Sequence, residues 1–151
     1  MRHLQRPARL IVPLLLALLP AVANAQSTAQ HTVSVHIPTV LRLRIDQSAA
    51  SDARAVDFTI DGESVTPDHL RIDVFANSSW TLSVEEAGGD GPRLEYAVDG
   101  SQAWATPSQR PVVTSGAATG GWRGYALGFR VHGQSYAGSH KRTLLFTLAR
   151  P

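Results

Sequence analysis

Apolar side chains recur at every second position along most of this chain. Val33, Val35 and Ile37 share one parity, which resumes in Leu41, Leu43 and Ile45 after Pro38. The same spacing returns in Val56–Phe58–Ile60, Leu70–Ile72–Val74, Trp80–Leu82–Val84, Leu94–Tyr96–Val98, Tyr125–Leu127–Phe129–Val131 and Leu144–Phe146–Leu148. Successive side chains of a strand point to opposite faces, so a period of two predicts strands with one buried face. No window carries the 3.6-residue spacing of an amphipathic helix. Turn residues separate the runs: Asp61-Gly62, Asn77-Ser78-Ser79, the loop expected at Ala87–Pro92, and Asp99-Gly100. Pro38 cannot donate to a ladder, so the first strand is expected to be split in two there. Residues 101–121 read as irregular, with Trp104 in a short possible strand. The sum is an all-β domain, a single antiparallel β-sandwich of seven to eight strands. A membrane barrel needs strands of about 9–11 residues with aromatic girdles, and most of these runs are shorter.

The first 25 residues read differently. Arg2, Arg6 and Arg9 precede the apolar run Leu10–Pro20, and Ala23-Asn24-Ala25 offers small residues for cleavage. These zones, in this order, predict a secretory signal peptide over 1–25 and a β-sandwich domain over 26–151. The expected address is the periplasm, cell surface or extracellular space. A membrane anchor needs about 20 apolar residues, and this run is shorter and holds Pro13 and Pro20. Three of the 14 basic residues leave with the leader and none of the 12 acidic residues does, which takes the net charge from +2 to −1. Nucleic acid is therefore not an expected partner. There is no cysteine, so stability must come from packing and ladders, without the disulfides common in exported domains.

Catalytic chemistry is not expected. Gly133-Gln134-Ser135-Tyr136-Ala137 approaches the G-x-S-x-G elbow, but Ala137 replaces the second glycine and no helix pattern follows. His31 and His36 fall on opposite strand faces. His132 and His140 could meet across the expected final hairpin but lack a third ligand, so neither metal nor cofactor is expected. Asp61, Asp90 and Asp99 sit in separate turns, and Glu85-Glu86 ends a strand. Asn77-Ser78-Ser79 matches the N-glycosylation triplet.

Two features point to binding. Trp80 alternates with Leu82 and Val84 and is expected in the core. Trp104 and Trp122 lie outside the alternation, flanking the Gly/Ser/Pro-rich segment, and are the candidate ligand-binding aromatics of a carbohydrate or protein site over residues 101–123. Val33, Val35 and Ile37 form the candidate donor strand. Such a strand gains main-chain hydrogen bonds at an open sheet edge and buries alternate side chains. The simpler expectation is that this segment pairs within its own domain.

The segments Asn77–Val84, Tyr136–His140 and Thr143–Leu148 resemble exported bacterial immunoglobulin-like domains of the pilin-like, spore-coat-protein-U-like kind. The resemblance implies an immunoglobulin-like sandwich in which Gly138 opens the closing strand and Val33, Val35 and Ile37 complete a neighbour. Arg150 stands where such pilins carry an aromatic, and the pilin disulfide has no cysteines to form it. The expected function is a non-enzymatic structural or surface-assembly role, with self-association or other surface proteins as partners. A secreted binding module is the alternative.

Overall fold

The structure is a computed structural model that describes residues 34–46, 48–133 and 136–151, with the backbone alone for Tyr136. The expected signal peptide, Val33, Gln134 and Ser135 lie outside the described residues. Nine strands and no helix are present among the described residues: β1 (Leu41–Ile45), β2 (Ala53–Gly62), β3 (Ser64–Thr66), β4 (His69–Ala76), β5 (Trp80–Gly89), β6 (Leu94–Val98), β7 (Val112–Gly116), β8 (Arg123–Val131) and β9 (Tyr136–Ala149). They form two antiparallel sheets, one ordered β1-β4-β8-β6 and the other β3-β2-β9-β5-β7. The all-β sandwich expected from the alternation is therefore present, with nine strands in place of seven or eight.

The parity read from the sequence sets the core. Leu43, Ile72, Val74, Leu94, Tyr96 and Leu127 from one sheet join Phe58, Ile60, Trp80, Leu82, Leu144 and Phe146 from the other in one buried cluster. Phe129 bridges the layers, with its ring 4.7 Å from Phe58 and 6.5 Å from Phe146. Burying one such side chain contributes roughly 1.5–3 kcal/mol. Trp80 is 1 % exposed, as expected of a core residue, and its indole N–H donates to the Ala117 carbonyl at 2.8 Å.

Three local expectations are corrected. The Ala87–Pro92 stretch is not loop throughout, because β5 continues to Gly89 against Thr143 and Arg142 of β9 across a bulge. Gly89 manages this with φ +115°, a conformation glycine adopts readily. Gly138 lies inside β9, where Asp61 pairs with Ser139 and Gly62 with Tyr136, so a bulge falls between. Finally, the segment called irregular contains β7, held against β5.

Candidate functional site

The N-terminal segment departs from its expected pairing. Its described part, Ser34–Val40, belongs to no strand. Val35 is 75 % exposed and Ile37 73 %. Asn77 fixes the point where the chain joins the sandwich. Its side-chain amide donates to the Pro38 carbonyl at 2.8 Å, its Oδ1 accepts from the Val40 N–H at 2.7 Å, and its own N–H donates to the Val40 carbonyl at 3.2 Å. The asparagine of the glycosylation triplet is thus a clamp whose amide is already engaged.

Sheet edges are partly open. Strand β3 pairs only with Thr59, Ile60 and Asp61, so the Ala53–Phe58 stretch of β2 pairs with β9 alone. The outer sides of β1 and β6 each carry one isolated bridge, from Leu43 to Ser51 and from Tyr96 to Ala105.

The two candidate tryptophans occupy one face but do not form one cluster. Both stand on the outer face of the β1-β4-β8-β6 sheet. Trp122, 43 % exposed, lies over the Arg44 guanidinium at 3.6 Å and beside Phe75 at 5.8 Å. Trp104 packs against the Arg130 guanidinium at 4.4 Å. Arg44 and Gly124 both pair with Asp73, whereas Gly128 pairs with His69 and Ala97. The Trp104 ring lies 3.4 Å from where a Gly128 Cβ would stand. The tryptophans therefore mark rows four residues apart on β8, about 13 Å at strand rise.

Between those rows, the outward positions of β8 are Gly124, Ala126 and Gly128, and the missing side chains leave a trench. One hollow of about 140 Å³ is lined by His69, Asp99, Trp104, Ala126 and Gly128 among others. The next, of about 330 Å³, is lined by Arg71, Asp99, Gly124, Tyr125 and Ala126. They share Asp99 and Ala126. A Cβ at position 124 would press on the Arg71–Asp73 pair, standing 3.0 Å from Asp73 Oδ1 and 3.1 Å from Arg71 Nη2. Arg71 Nε donates to Asp73 Oδ1 at 3.2 Å. The histidine, arginine and aspartate of this trench escaped the sequence reading, because outward polar residues on a strand look alike whether or not they share a hollow.

The loop carrying Trp104 is tied down. Ala105 exchanges two backbone hydrogen bonds with Tyr96. The Tyr96 hydroxyl donates to the Arg110 carbonyl, and Arg110 Nη2 donates to the Ala103 carbonyl at 3.1 Å. Arg130 is in turn held by Glu95 at 2.7 Å, and Glu95 also meets His132 at 2.8 Å. Burial pushes the Glu95 carboxyl upward, but the hydrogen bonds from His132 and Arg130 outweigh it and hold the group below the ordinary glutamate range.

The two histidines of the final hairpin have separate partners. His132 is bound to Glu95, while His140 Nε2 contacts the Ala137 carbonyl at 3.1 Å. No group of three or more metal-ligating side chains is present among the described residues. The described chain resumes at Tyr136 in strand β9, not in the helix that a nucleophile elbow requires. No protein-family model, curated protein or solved structure matches this chain.

Proposed function

We propose that this protein is an exported, non-enzymatic building block of a surface assembly, in which the N-terminal segment of one copy adds to a sheet edge of another. One observation carries the reading: Val35 and Ile37 are about three-quarters exposed in a segment that belongs to no strand. Exposed apolar residues at alternate positions match a strand that lacks a partner. The unpaired side of β2 over Ala53–Phe58 supplies an acceptor edge, and an open edge is a template for another chain. The leader-like residues 1–25 supply the export step. The immunoglobulin-like resemblance belongs to the same proposal.

Amide hydrogen exchange at rising protein concentration tests it. Amides of Ser34–Ile37 and of the Ala53–Phe58 edge become protected together as assembly proceeds. Protection that stays independent of concentration, or that never includes residues 34–37, contradicts the reading.

A further inference from the structure

The outer-face trench lies on the other sheet from the edge assigned to assembly, and its chemistry calls for a different partner. The backbone of β8 is already paired with β4 on one side and β6 on the other, so the trench has no ladder to offer an added peptide strand. The charges lining it are of both signs. Arg71 is offset by Asp73, and Asp99 adds a further carboxylate at the rim. What remains is a tryptophan wall, a floor without bulky side chains, and polar groups along both sides. Trp104 supplies an apolar ring held rigid by its loop and by Arg130. His69 Nε2 stands 3.7 Å from the place a Gly128 Cβ would take. Asp73 is 8 % exposed, and its Oδ1 accepts from Arg71 Nε beside the Gly124 position. The two hollows fall together within the roughly 300–1,000 Å³ typical of small-molecule sites.

We infer that this trench binds a neutral, hydroxyl-rich saccharide segment. The C–H face of one ring packs on Trp104, and hydroxyls bond to Asp99, His69 and the Arg71–Asp73 pair.

The probes are neutral trisaccharides of β-1,4-glucose, β-1,4-N-acetylglucosamine and α-1,4-glucose, titrated into the isotope-labelled protein and followed by NMR. At least one is expected to bind with a Kd of about 1 mM or tighter, shifting the Trp104 indole N–H and the amides of Gly124 and Gly128. Ala126→Val fills the floor with a residue suited to a strand, and Trp104→Ala removes the wall. Each should weaken binding by about tenfold or more. The unchanged amide pattern of Ala126→Val away from β8 shows that the fold is retained. The inference is overturned if no trisaccharide shifts the trench resonances, if Ala126→Val binds as well as the parent, or if an anionic oligosaccharide or a peptide occupies the trench instead. Because Val35 and Ile37 take no part, failure of this site leaves the assembly reading standing, and failure of assembly leaves the site standing.

Discussion

Asn77 does at the scale of one residue what a strand pairing was expected to do. Through two side-chain hydrogen bonds it holds Pro38 and Val40 against the β4–β5 turn, and the described residues before Pro38, Ser34–Ile37, belong to no strand. Asn77→Ala should lower stability by about 1–2 kcal/mol, since each such bond is worth roughly 0.5–1.5 kcal/mol, read as a shift in urea midpoint. An unchanged midpoint would show that the clamp is incidental. Glu95 offers a second test at this scale. Its carboxyl is lowered in the folded state, so the stabilisation it brings is complete above the ordinary glutamate range and is lost as pH falls through the lowered value. Glu95→Gln should therefore be less stable than the parent near neutral pH, with the gap closing in acid. A gap that is constant across that range would contradict the assignment.

The strands show which parts of the fold were legible. Wherever a strand buries one face and solvates the other, the alternation placed it, as with Leu70–Ile72–Val74 in β4 and Leu144–Phe146–Leu148 in β9. Strand β7 was missed because Val113 is its only buried residue and its remaining positions are polar, small or exposed. The end of β5 was missed because Gly88-Gly89 looks like a turn, whereas β9 supplies the pairing that keeps it extended. Both are cases of tertiary partners overriding local preference. The site was legible only in its tryptophans, since the trench arises from cross-strand rows that no linear pattern displays. The two glycines of β5 make a matched test. At Gly89 an added Cβ would come 2.7 Å from Arg142 Cα at a positive φ, while at Gly88 it meets nothing within 4 Å. Gly89→Ala should cost more than about 1 kcal/mol, and Gly88→Ala should stay within about 0.5 kcal/mol of the parent, both measured by denaturant midpoint at unchanged m-value. Equal losses would mean that β9 does not hold this end of β5 as described.

For the molecule as a whole, the fold has a compact body from Ile37 to Pro151, a partly open edge along β2, and exposed apolar side chains at Val35 and Ile37. No cysteine is available to tie these parts covalently, so any assembly must rest on ladder pairing and apolar burial. Such pairing is concentration-dependent and is blocked by charge placed at the alternating positions. The most direct test of the central claim is the solution mass by light scattering of a Gln26–Pro151 chain beside the same chain carrying Val35→Asp and Ile37→Asp. Oligomers that grow with concentration in the first and a monomer in the second are the predicted result. A first chain that stays monomeric at all concentrations, or oligomers that survive the double substitution, would contradict it.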